Sequence, residues 1–462
     1  MGLCNATRSD TLFHGPQEPS SGHIPFLPSE IIIAILEKAC ELPLSRKDRQ
    51  LLVACTLVCK YWLPLARSLL YDSVIVQAGS YYANTQDPGA CGSTALLKQP
   101  HVLDFTKSLF ISVIGKAKVI SLLHISKDFT PNGNPKRTRV PDFFALLGHT
   151  RQLRRLTLSI GSADKNISPS EPHLLYWLPS LKLPIEVLDI EGGFNSGDFL
   201  RSTFACHLVG IWWDTIRALR VFTGRARDDG PLPAERPYIR LRELRFYSTL
   251  SAEMLRVNWL LPLPPPDEQS SLRFLTLSKI PEEMHAVLSV HGPSVSSLTL
   301  TSQPTFEIAQ LFTNLEELVI NDPCWKNISG LPRTLKHIRL DVMAWLSDPL
   351  LSWSNTLVAA IVKELPTFPN LGLISIEEAL TTNKYYPDLQ KACEIHKVKI
   401  LLIPKPNNSS RTLVRGSNLS ATPCIHRQLA EASLSRRDGS FSSAIYLLRV
   451  LRRRVSMALK DS

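Results

Sequence analysis

The stretch Leu315-Glu316-Glu317-Leu318-Val319-Ile320, followed by Leu335-Lys336-His337-Ile338-Arg339-Leu340, carries one motif twice: an apolar residue, two variable ones, an apolar residue, one variable one and an apolar residue. The second and third apolar positions are two apart, so they share one side of a short strand, and the residues around them face the other way. One match means little, because at 44% apolar composition three fixed positions fill by chance in about one window in twelve. The series means more. The motif starts at 153, 185, 216, 241, 272, 295, 315, 335, 371 and 398, with a weaker copy at Thr106-Lys-Ser-Leu109-Phe-Ile111. Similar phrases introduce several copies: Phe312-Thr-Asn-Leu315, Leu331-Pro-Arg-Thr-Leu335 and Phe368-Pro-Asn-Leu371.

A single strand of this kind cannot bury its apolar side. Stacking successive strands in parallel, each returning through a helix or loop, builds a continuous core. The intervening segments suit such returns, for example Pro141-Asp-Phe-Phe-Ala-Leu-Leu-Gly and Ala252-Glu-Met-Leu-Arg-Val-Asn-Trp-Leu-Leu. The spacing resembles that of leucine-rich repeats. The asparagine that regular repeats place after the strand is mostly missing, which predicts an irregular solenoid with unequal returns over residues 100–403. Leu261-Pro-Leu-Pro-Pro-Pro-Asp-Glu reads as a stiff surface loop or as a proline-rich docking motif.

Toward the N-terminus the pattern changes from strand to helix. Pro28 suits a first helical turn, and Ile31, Ile32, Ile35 and Leu36 then give one apolar face. Pro43 and Arg46-Lys47-Asp48-Arg49 interrupt it. Leu51, Leu52, Cys55, Val58, Cys59 and Trp62 restart it as a second helix, which Pro64 ends while opening a third. The ordered set Leu27-Pro28-Ser29-Glu30-Ile31, Leu57-Val58-Cys59-Lys60-Tyr61-Trp62 and Leu69-Leu70-Tyr71 resembles an F-box, with a longer polar stretch between the first two helices than a minimal F-box has. The bland alternative is a helical cap that shields the end of the larger domain.

The resemblance implies an α/β chain in which a small three-helix F-box precedes the leucine-rich-repeat-like parallel sheet. The expected division is a disordered N-terminus over 1–23, the F-box-like head over 24–77, a linker loop over 78–99, the solenoid over 100–403 and a basic, mostly disordered tail over 404–462. It also implies a function without catalysis: the substrate-recognition subunit of a cullin-RING ubiquitin ligase, binding a Skp-type adaptor, and through it a cullin, by Leu27, Pro28, Ile31, Leu36, Val58 and Trp62. The competing expectation is a non-ligase repeat scaffold that mediates protein–protein interaction. In either case an unidentified protein partner is expected on outward strand positions, which include Arg155, Asp189, Glu317 and His337. Arginine and aromatic residues anchor many interfaces, which singles out Arg220, Arg245, Tyr247, Phe274 and Arg339. An ordinary solvated strand face is the other reading of each.

Composition narrows the remaining classes. With 44% apolar and 20% charged residues over 462 positions, the chain is expected to fold over most of its length. The net charge of +11 is concentrated in residues 404–462, which hold eleven Lys or Arg against three acids, so no nucleic-acid groove is expected in the body. Residues 442–459 have the pattern of a basic amphipathic helix, either solvated or docked, or in contact with an anionic membrane or an import receptor. Nine scattered cysteines read as reduced core thiols; Cys55 and Cys59 lie one turn apart without a second ligand pair, so no metal is expected. No phosphate loop, Gly-x-Ser-x-Gly or His-Glu-x-x-His occurs, and no cofactor is expected. The lack of an apolar run of membrane-spanning length, or of a signal-peptide core in the first 23 residues, predicts an intracellular protein, cytoplasmic or nuclear.

Overall fold

Every copy of the motif lies on a strand, and its leading apolar residue is the reason each strand starts where it does. Leu153, Ile216, Leu315 and Leu335 are wholly buried. The two residues after each of them then donate their N–H groups to one carbonyl of the preceding strand. Arg154 and Arg155 both donate to Lys107 O at 2.9 Å, Glu316 and Glu317 to Ser296 O at 2.9 Å, and Lys336 and His337 to Glu316 O at 2.8 and 3.0 Å. The sequence repeat is thus a register device as well as an apolar pattern.

The computed structural model describes residues 28–39, 46–58, 61–78, 90–91, 96, 100–114, 142–161, 181–192, 202–222, 232, 237–247, 256–303, 307–321, 325, 328–340, 355–378, 381 and 383–403. Among these, thirteen strands form one sheet: β1 (Ser73–Ala78), β2 (Ala90–Cys91), β3 (Ser108–Ile114), β4 (Arg155–Gly161), β5 (Val187–Gly192), β6 (Ala218–Phe222), β7 (Glu243–Tyr247), β8 (Phe274–Leu277), β9 (Ser297–Leu300), β10 (Glu317–Ile320), β11 (His337–Leu340), β12 (Leu373–Glu377) and β13 (Lys399–Ile403). From β3 to β13 the spatial order is the sequence order, and every recorded pairing is parallel. The exception is at one end, where β1 pairs β3 on one side and the two-residue β2 on the other.

Returns between strands are unequal, as the missing asparagines imply. They include the helices Asp142–His149, Ser202–Ile211, Arg256–Leu260, His285–His291, Ile308–Leu311, Asn355–Glu364 and Tyr386–Ile395, with short 3-10 turns at Gly292–Ser294 and Leu365–Thr367. Leu146, Leu147, Leu208, Leu288 and Ile361 on these helices share one core with Leu156, Leu158, Leu188, Val221, Leu244 and Leu318 on the strands. Cys206 and Cys393 are buried thiols there, and burial pushes the Cys393 thiol up to about 11. The Pro-rich segment at 261–268 keeps Leu263 and Pro265 at the surface but buries Leu261 and Pro262, so it is pinned rather than free.

The chain divides into two units at Ala66/Arg67. The first holds α1 (Ser29–Ala39), α2 (Arg46–Val58) and the start of α3 (Trp62–Leu70). Two expected boundaries shift. Ser73–Gln77, placed in the F-box-like head by the expected division although Ser73-Val74-Ile75-Val76 itself reads as a short β-like run, belong with Ala78 to the sheet strand β1, because the buried Val74 and Val76 join the core beside Leu109 and Ile111. The expected linker over 78–99 contributes β2. The expected disordered N-terminus and basic tail lie outside the described residues.

Candidate functional site

The sheet face opposite the core is polar, and strand register decides what meets on it. One row runs Thr157, Asp189, Arg220, Arg245, Thr276, Thr299, Val319, Arg339, Ser375 from β4 to β12; two residues earlier, a second row runs Arg155, Val187, Ala218, Glu243, Phe274, Ser297, Glu317, His337, Leu373. Adjacent parallel strands lie about 4.8 Å apart, so charges on neighbouring strands fall within reach of each other.

Two networks result. In the first, Arg155 Nε and Nη2 donate to Asp189 Oδ2 at 2.9 and 2.5 Å, and Thr157 Oγ1 donates to the same oxygen at 3.0 Å. Arg220 donates from Nε and Nη2 to the two Glu243 oxygens at 2.8 and 3.1 Å, a two-pronged pair. Arg220 Nη1 faces Asp189 Oδ1 at 3.5 Å, close enough to attract but not to hydrogen-bond. Arg245 Nε closes the series on Glu243 at 2.5 Å. Beside it, Phe222 and Tyr247 stack with ring centroids 4.3 Å apart.

In the second network, Ser297 donates to Glu317 Oε2 at 2.6 Å, and His337 bridges Glu317 Oε1 and Ser375 Oγ at 2.9 Å each. In the neutral ring, Nδ1–H donates to the carboxylate and Nε2 accepts from the hydroxyl. The order serine, histidine, glutamate is that of a nucleophilic relay. Ser375, however, is wholly buried, so no substrate carbonyl reaches its oxygen, and the bonds knit β10, β11 and β12 together.

These contacts correct the expectation for several outward positions. Arg220, Tyr247, Asp189 and His337 are buried rather than solvated, because opposite charges and stacked rings on neighbouring strands satisfy one another. Of the five singled-out residues, Phe274 is exposed, Arg245 and Arg339 are half-buried, and Arg220 and Tyr247 shape the face from beneath. Glu243, Ser297, Ser375 and Phe222 were missed; aligning the motif copies as columns would have set Glu243 two residues before Arg245 on β7 and diagonal to Arg220 on β6.

Burial raises the carboxyls of Glu243 and Glu317, but for Glu243 the hydrogen bond from Arg220 and the charge of Arg245, and for Glu317 the hydrogen bonds from His337 and Ser297, outweigh it and hold both below the usual 4.5. A depressed folded value means stability that is complete above the unfolded value and lost as pH falls through the folded one. Urea midpoints should therefore drop as pH falls below 4.5, and Glu243→Gln, which removes one such carboxylate, should flatten that slope. An unchanged slope in the variant would assign the acid sensitivity elsewhere.

On the helices of the first unit, Pro28 and Ile31 are exposed, Leu36 is buried and Trp62 is half-buried; Leu27 and the side chain of Val58 lie outside the described residues. Leu36 thus packs inward and holds the helix rather than meeting a partner. The sequence reading overlooked Val53 and Leu57, one helical turn apart on α2, which are 47% and 82% exposed, beside 47% for Ile31. Cys55 on the same helix is buried, which raises its thiol, and Cys59 lies outside the described residues. Among the described residues no helix is long and apolar enough to cross a membrane, and no group of three His, Cys, Asp or Glu forms a metal cluster.

No family model matches the chain, and no curated protein matches it.

Proposed function

We propose that this chain is the substrate-recognition subunit of an SCF-type cullin-RING ubiquitin ligase, docking a Skp-type adaptor through α1–α3 and holding a protein substrate on the polar face of the sheet. What supports this reading is the F-box-like order of Leu-Pro-x-Glu-Ile, Leu-Val-Cys-x-x-Trp and Leu-Leu-Tyr in the sequence, together with three short helices that leave Ile31, Val53 and Leu57 in water. Large apolar side chains exposed on so small a helical unit are what an obligate partner would cover. The catalysis served is proximity alone: the substrate is held where an enzyme elsewhere in the assembly reaches its lysines. Such a subunit would work in the cytoplasm or the nucleus.

Pull-down of the purified full chain with a Skp-type adaptor tests this. Ile31→Asp and Leu57→Asp alter exposed side chains and should leave circular dichroism unchanged, while each weakens adaptor binding by about 30-fold, the effect of losing a central anchor. Failure of the folded wild-type chain to bind would replace the ligase reading with that of a repeat scaffold.

A further inference from the structure

One row of residues is not absorbed by the two networks. It lies immediately before the strands, one position after each leading apolar residue. There the backbone places Arg154, Glu186, Arg217, Arg242, Arg273, Ser296, Glu316 and Lys336 side by side, each N–H donating to the carbonyl of its neighbour on the preceding strand, as Arg242 does to Arg217 at 2.7 Å and Arg273 to Arg242 at 2.8 Å. The ends of the row are neutralised: Arg154 pairs with Glu186, and Lys336 with Glu316 at 2.6 Å. The middle is not. Among the described residues Arg217, Arg242 and Arg273 have no carboxylate partner, and the bonds of Arg217 to Ile216 O at 3.0 Å and of Arg273 to Ser294 O at 2.8 Å orient guanidinium groups without neutralising them. Arg242 and Arg273 are exposed and Arg217 is half-buried.

Three like charges on consecutive strands repel, and on a sheet that arrangement is destabilising unless something anionic relieves it. We propose that Arg217, Arg242 and Arg273 form a docking strip for an acidic segment of a protein partner. Two strand intervals span about 10 Å, the reach of about three extended peptide residues. A nucleic acid would need a longer unpaired track to gain from releasing its counterions. Phe274, the residue after Arg273 and 38% exposed, adds an apolar contact beside the charges, which suits a peptide mixing acidic and apolar side chains. The strip refines the proposed substrate-binding role and rests on that reading only for what the partner is used for.

Fluorescence anisotropy of the full chain with a labelled peptide of alternating glutamate and leucine tests it, at about 50 mM salt and again at about 500 mM, where screening should abolish binding. Arg242→Glu should weaken the peptide at least about tenfold. Its thermal midpoint should not fall, because the new carboxylate pairs with the arginines on either side. Lys336→Ala, at the far end of the row and separated from Arg273 by Ser296 and Glu316, should bind as wild type. No binding at low salt, or unchanged binding by Arg242→Glu, overturns the strip; tighter binding of a charge-matched oligonucleotide overturns the peptide in favour of a nucleic acid. The adaptor pull-down on the same preparations reads α1–α3, so failure of the strip and failure of the ligase reading are told apart.

Discussion

Asp189→Ala should cost about 3–5 kcal/mol of stability, the loss seen when one partner of a buried ion pair is removed and the other charge stays behind. Asp189 is 3% exposed and takes Arg155, Thr157 and the near approach of Arg220 on one carboxylate. Without it, Arg155 can turn toward water, since its side chain is 24% exposed, but Arg220 at 7% cannot. Adding Arg220→Met to Asp189→Ala removes the charge that Asp189 helped to balance, but it also takes the two-pronged partner from Glu243 and leaves that carboxylate to Arg245, so the double variant should lose less than the sum of the two single losses. Urea denaturation of the wild-type chain, the two single variants and the double variant measures this. A double variant that loses the sum of two large effects would mean that the charges act independently, and the network would lose its status as one unit.

Gly292→Ala should be nearly as damaging, on the order of 3 kcal/mol, by overpacking. Backbone conformation is not the reason, because φ is −56° at this residue. The reason is approach: an added Cβ would lie 2.2 Å from the carbonyl oxygen of Leu311, a backbone atom at the end of the next return that cannot swing aside. The two returns would have to separate, and Leu288, Val295, Ile308 and Phe312 share the core beside them. Gly210 is the internal control. It lies in the helix Ser202–Ile211 with nothing within 4 Å of its would-be Cβ, so Gly210→Ala should stabilise by about 0.5–1 kcal/mol through helix preference. Thermal midpoints that moved together in the two variants would refute the steric account.

Much of the sheet is legible residue by residue because its period is short and its apolar positions are local. Leu153, Leu156 and Leu158 announce β4 by themselves, and the same reading places ten further strands. In the helical head the reading is met only in part: Pro28 precedes α1 and Pro64 sits in the first turn of α3, but Trp62, read as the end of the second helix, opens α3 instead. The reading failed where a residue's fate depends on a neighbour about 30 positions away. Nothing near Arg220 in the chain reveals that Asp189 and Glu243 flank it on adjacent strands, and nothing near Ser375 reveals His337. Outwardness was read correctly as a face, but not as exposure.

Apolar spacing thus sufficed for strand positions, their parallel stacking through intervening returns and the change from helix to strand near Tyr71, because burying apolar side chains at fixed intervals is a local demand that any consistent fold must meet. Only the tertiary structure decided which polar residues neutralise one another and which stay available. Pairing register, set across strands by one carbonyl accepting two N–H groups, buries Asp189, Arg220 and His337 in the face while leaving Arg217, Arg242 and Arg273 beside one another with no carboxylate partner among the described residues.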